Sequence, residues 1–243
     1  MNVEFLKDIR HRYFLAKHIF YSNIDGHFIV LDLRKNKYLL LGEEEKQIFQ
    51  VLFEKKDVLR PNEPHDLEQS ITDLVELGML TDGPEKGKQN MVPVLPLVTQ
   101  DMNGYPFDGI PKIGAGHVYQ CFKAFLYTKI VWWLNPMEGV IAKMKNRKTR
   151  HLAKKPPKVS FEQTRELVEI FRILTGLFYT VRNECLFDSL TMVNFLASYG
   201  IYPQMVFGLQ MGPFAAHAWV QEGAISYNCP VAIVDSFEPI MTV

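Results

Sequence analysis

Residues 185–228 read CLFDSLTMVNFLASYGIYPQMVFGLQMGPFAAHAWVQEGAISYN. The stretch spells a helix followed by sheet. Asn183 can cap the helix ECLFDSLTMVNFLASYG (184–200), which holds Cys185 at its start, and Gly200 can end it. PQMVFGLQ (203–210) then reads as a strand, and AHAWVQEGAISYN (216–228) as a hairpin turning near Glu222-Gly223. A turn there sets Asn228 across from His217, and a shift of one residue changes the partner and the face.

Upstream, Ser160 and Gln163 make a capping box for a helix whose buried face is Leu167, Ile170, Phe171 and Leu174. From Lys143 to Lys158 come eight Lys and Arg residues and no acid. The run reads as a solvated linker between helices, or as a dock for an acidic peptide, a phosphate or an anionic membrane surface beside the apolar helix expected over 117–145. Residues 83–116 are rich in Gly and Pro without a steady period and read as a linker. In residues 1–82, YFLAKHIFY (13–21), HFIVLDL (27–33) and KYLLL (37–41) read as strands, with turns at Asn23-Ile24-Asp25-Gly26 and Arg34-Lys35-Asn36. GEEEKQIFQVLFEKK turns helical, acids in the first turn and lysines in the last. HDLEQSITDLVEL places Leu67, Ile71, Leu74 and Val75 on one helix face, and Gly78 can end it. The expected class is α+β: a winged-helix-like module over 1–82, a linker over 83–116, and a second domain over 117–243.

Composition narrows the function. Lys plus Arg and Asp plus Glu each total 27, so no bulk charge draws the chain to nucleic acid. The first twenty residues have no uninterrupted apolar core of a signal peptide, and FLYTKIVWWL (125–134) carries Lys129 and is too short to span a bilayer. Three cysteines, Cys121, Cys185 and Cys229, do not form a disulfide framework, which points to a reducing cytoplasm.

Cys185 at a helix start sits where the N-terminal partial positive charge favours a thiolate, a strong nucleophile. His217 heads the strand of Ala-His-Ala-Trp-Val. A helix N-terminal Cys, a strand, then a His at the head of the next strand is the order by which papain-like and transglutaminase-like folds unite thiol and imidazole. A third group must accept the other ring proton. Asn228 is the local candidate and Asp235 the nearest later carboxylate. Asp188, one turn beyond Cys185, reads as a solvated helix residue, since a carboxylate beside the thiol opposes ionisation. His117 and Cys121 have the spacing of a metal pair, but no second pair follows, so no metal is expected. Nor does the sequence require a cofactor: it has no glycine-rich phosphate loop.

With these residues in view, the chain resembles the maturation proteases of lasso-peptide biosynthesis, transglutaminase-like cysteine peptidases. The resemblance rests on Cys185-Leu186 with Ser189-Leu190, Tyr199-Gly200-Ile201, Val206-Phe207-Gly208, and Pro213-Phe214 leading into His217-Ala218-Trp219-Val220. FIVLDLRKNKYLLLG and the trailing DLVELGML are similar to the leader-recognition (PqqD-like) domains of the same pathways. The resemblance implies a leader peptidase fused to its recognition domain, a precursor peptide as substrate, and an asparagine-synthetase-like cyclase as partner. Where the family has Asn-Asp at the end of the second hairpin strand, this chain has Asn228-Cys229. A thiol is a poor acceptor for the imidazole proton, which leaves the third role to Asn228 or Asp235. Two other functions fit the same residues: a catalytically weak module that delivers the leader to the cyclase, and a transglutaminase-like acyl transferase.

Overall fold

A computed structural model describes residues 3–54, 64–89, 93–104, 111–154, 159–178 and 184–243, and divides into two units, 1–92 and 93–243. In the first unit, α1 (Val3–Arg12) leads into β1 (Tyr13–Ala16), β2 (Ile19–Ile24), β3 (His27–Asp32) and β4 (Lys37–Leu40). Then come α2 (Glu43–Phe53), α3 (Pro64–Glu76), β5 (Leu80–Asp82) and β6 (Gly87–Lys88). Segment 13–21, expected as one strand, is two. The chain turns at Lys17-His18, so that β1 pairs with β5 and β6 while β2 joins the β2-β3-β4 sheet. Asp25 and Gly26, both at positive φ, make the β2-β3 turn, and the Asp32 carboxylate accepts the N–H groups of Arg34 and Lys35 in the next. Ile48, Phe49, Ile71 and Leu74 from the two helices meet Leu15, Ile19, Phe28 and Val30 of the strands in one buried core. Each such side chain contributes on the order of 1.5–3 kcal/mol. α2 ends at Phe53, with Glu54 as its C-cap, and the lysines expected in its last turn, at 55 and 56, lie outside the described residues.

The second unit runs β7 (Gln100–Asp101), α4 (Ala115–Leu134), α5 (Met137–Leu152), α6 (Phe161–Thr175), α7 (Cys185–Ala197), β8 (Gln204–Gln210), β9 (Ala215–Glu222), β10 (Ile225–Ser226), α8 (Val231–Val234) and β11 (Glu238–Thr242). Its sheet has the order β11-β8-β9-β10-β7, antiparallel except for the β10-β7 pair. Segment 83–116 is thus more than a connector: β6 pairs with β1, and β7 extends the second sheet. The helical stretch expected over 117–145 is broken at Asn135-Pro136 into α4 and α5. The basic run from Lys143 is the second half of α5 rather than a linker. Within it Arg147 is partly buried and donates to Asn194 Oδ1 at 2.7 Å, while residues 155–158 lie outside the described ones. α6 carries the expected capping box, Ser160 accepting from the Gln163 N–H at 3.2 Å and Gln163 from that of Ser160 at 3.2 Å.

α7 packs on β9 and is itself backed by α4 and α6. β8 is buried along its whole interior, which is why it reads as a continuous apolar run instead of alternating. Gly208 is required by close approach: a Cβ there would meet the Trp219 ring at 2.6 Å and Phe237 Cβ at 2.9 Å. The β9-β10 hairpin turns on Gly223-Ala224, two residues in register from the expected pairing, with Glu222 opposite Ile225 and Gln221 opposite Ser226. Gly223, at φ +57°, takes the left-handed position of the turn and fixes it there.

Candidate active site

α7 delivers Cys185 as its first residue, with Glu184 at the N-cap giving no side-chain cap. Asn183, the expected cap, lies outside the described residues. A helix leaves its first N–H groups without intrahelical partners. Those of Cys185 and Leu186 carry no hydrogen bond among the described residues. The half-buried Cys185 stands on the wall of a cleft of about 940 Å³, with Glu184 and an aromatic lining that includes Phe125, Trp132, Phe178 and Phe187. Phe125 stacks on Phe178 at 5.7 Å between centroids and meets Phe187 edge-on at 5.8 Å.

β9 delivers His217. Its ring packs against Phe237 at 5.1 Å and Trp219 at 6.2 Å, and burial lowers its pKa from the ordinary 6.5. It is therefore a neutral imidazole at neutral pH, the form a general base needs. Its Nε2 lies 3.1 Å from Cys229 Sγ. Burial first, then the charge of Cys185, then that of Asp101, push the Cys229 thiol up to about 12, so it stays protonated. Two tautomers satisfy the contact. With the proton on Nδ1, the Cys229 S–H donates to Nε2. With the proton on Nε2, the ring donates to sulfur and Nδ1 is the basic nitrogen; Nδ1 carries no hydrogen bond among the described residues.

The opening turns of α7 are fastened to β9 just after His217. Ser189, one turn beyond Cys185 on the same helix face, donates to the Ala218 carbonyl at 3.0 Å. Asn228 Nδ2 donates to Asp188 Oδ2 and to Ser189 Oγ, both at 2.9 Å, while its Oδ1 accepts the Val220 N–H at 2.9 Å. Asn228 is thus a clasp between helix and sheet and does not orient His217: the two-residue register difference takes it away from the ring. Asp188, expected in solvent, is buried as part of this clasp. Asp235 is exposed at the end of α8 and makes no hydrogen bond to His217 among the described residues. None joins Cys185 to His217 directly either. The structure seats Cys229 on the ring and brings α7 and β9 together around it.

The aromatic cleft and the Asp188-Ser189-Asn228 clasp escaped sequence reading. The signal for the first was an α4 apolar on nearly every face; for the second, a Ser and an Asp one turn past the cysteine. His117 Nδ1 accepts the Gly114 N–H at 3.2 Å, and Cys121 is fully buried with its thiol pushed up to about 11. Among the described residues no group of three or more His, Cys, Asp or Glu side chains could hold a metal ion, and no helix is long and apolar enough to cross a membrane.

Residues 129–242 match the family model of the transglutaminase-like superfamily, and so the second unit contains a transglutaminase-like domain. Members of that superfamily are typically cysteine peptidases or acyltransferases. No curated protein and no solved structure matches the chain.

Proposed function

We propose that the protein is a cysteine peptidase that binds the leader of a lasso-peptide precursor and cleaves it from the core. The observation that carries the chemistry is Cys185 on an open cleft at a helix start, fastened beside a strand whose half-buried histidine has its pKa lowered, as a neutral base needs. The Cys185 sulfur attacks the carbonyl carbon of the scissile bond as its proton passes to His217, an approach completed when substrate binds. The oxyanion takes the N–H groups of Cys185 and Leu186. The C–N bond breaks, the core amine leaves with the proton from His217, and water activated by the same ring releases the leader from its thioester.

In this reading residues 1–82 are a winged-helix-like, PqqD-like recognition domain, residues 83–116 connect it, and residues 117–243 are the peptidase domain. The leader adds as an extended strand at an edge of the β2-β3-β4 sheet, where β2 and β4 are the outer strands. An asparagine-synthetase-like cyclase then closes the ring on the freed core, and the work is done in the cytoplasm without a cofactor bound to this chain.

One observation favours a second reading, a leader-binding module with a weak peptidase that serves the cyclase. The His217 ring meets a thiol where a carboxylate would hold it better. Incubation of the precursor with wild type and Cys185→Ala, followed by mass spectrometry with and without an added amine, tests both. Leader and core masses that vanish in Cys185→Ala support the peptidase. An amine adduct supports acyl transfer, and leader binding without products supports the module.

A further inference from the structure

The wall around Cys185 is chemically one-sided. Phe125, Trp132, Phe178 and Phe187 form it, and among the described residues its charged groups are Lys129 and Glu184. Lys129 shares the wall with the rings, its Nζ 5.7 Å from the centroid of Phe125. Toward the rim, Ile130 is 53% exposed and Trp133 83% exposed. Large apolar side chains left in water around a concave site mark a place that something apolar covers. Because the nucleophile itself is part of the wall, whatever fills the cleft lies next to the reacting carbonyl.

We infer that this cleft is the specificity pocket of the acyl-transfer site and takes an aromatic side chain of the acyl-donor peptide, within a few residues of the bond that Cys185 attacks. The inference rests on Cys185 as nucleophile and adds the class of side chain selected. Edge and face contacts among the wall rings leave further ring faces for an incoming aromatic group. An acidic residue would be desolvated against the rings with Glu184 beside it.

The test uses the full chain and tripeptidyl vinyl sulfones carrying Phe or Asp at each of the three positions before the electrophile. The rate of Cys185 modification is divided by the rate with iodoacetamide, which removes differences in thiol reactivity. At one or more positions Phe is expected to exceed Asp by roughly tenfold or more, the effect of burying one large apolar side chain. Ile130→Glu and Phe187→Ala are expected to erase most of that ratio. Equal normalised rates for Phe and Asp at all three positions overturn the inference while leaving the nucleophile intact, as does a ratio that Ile130→Glu leaves unchanged. If no vinyl sulfone modifies Cys185, tryptophan fluorescence of Cys185→Ser titrated with acetyl-Phe-Phe-amide and acetyl-Asp-Asp-amide decides. Tighter binding of the Phe peptide keeps the pocket and rejects the nucleophile, and equal binding rejects the pocket. A concentration-dependent dimer broken by Ile130→Glu, with no Phe preference, would show instead that a second copy covers the cleft.

Discussion

The contact between His217 Nε2 and Cys229 Sγ decides how well this site works, and Cys229→Ala removes it. A neutral hydrogen bond contributes about 0.5–1.5 kcal/mol net. At 3.1 Å to a sulfur that is a weak donor and a weak acceptor, the low end applies. The expected loss in kcat is therefore roughly two- to threefold, far less than the roughly 10⁴-fold that follows loss of a true triad carboxylate. Cys229→Asp runs the other way. A carboxylate accepts the Nε2 proton, fixes the tautomer with Nδ1 basic, and stabilises the imidazolium as it forms, through a bond about twice as strong as a neutral one. Activity is expected to rise, and the acid limb of the pH–rate profile to move to higher pH, against some loss of stability because Asp101 lies near enough for its charge to be felt at this position. The assay is precursor cleavage followed by mass spectrometry across pH, with thermal melts of each variant to separate lost activity from lost fold. Wild-type rates and an unchanged profile in both variants would refute the reasoning and leave Cys229 a packing residue.

Four further outcomes follow from the geometry. Burial lowers the His217 pKa, so the acid limb of kcat/KM in wild type should lie below 6.5. The sign for stability is the same: above 6.5 the ring is neutral in folded and unfolded chains alike, and below it the unfolded chain binds a proton that the folded ring resists, so denaturant midpoints should fall with pH. Asn228→Ala cuts its bonds to Asp188, Ser189 and Val220 and should destabilise the second unit by about 1–3 kcal/mol, read by chemical denaturation, while leaving the acid limb where it is. Gly208→Ala drives a methyl into Trp219 and should cost about 1–3 kcal/mol, with a change in Trp fluorescence.

The elements carrying Cys185 and His217 were legible because both are written in local pattern: a helix closed by Gly200, then strands with turn residues between. Their relation was not. Register at the β9-β10 hairpin depends on which residue takes positive φ, and either Glu222-Gly223 or Gly223-Ala224 reads as a turn; the backbone chose the second and separated Asn228 from the histidine. Asp188 misled because a charged residue on a helix is ordinarily solvated, whereas here Asn228, distant in sequence, donates to its buried carboxylate. The basic run of α5 misled because charge predicts exposure, while Arg147 finds Asn194 inside. α1 went unread, its apolar residues being interrupted by charges every few positions.

The most direct test of the central claim is to quench a reaction of wild type with its precursor in acid and map the protein by mass spectrometry. A thioester of the leader on Cys185, with free core in solution and neither species formed by Cys185→Ala, is the predicted result. Cleavage that continues undiminished in Cys185→Ala would contradict it.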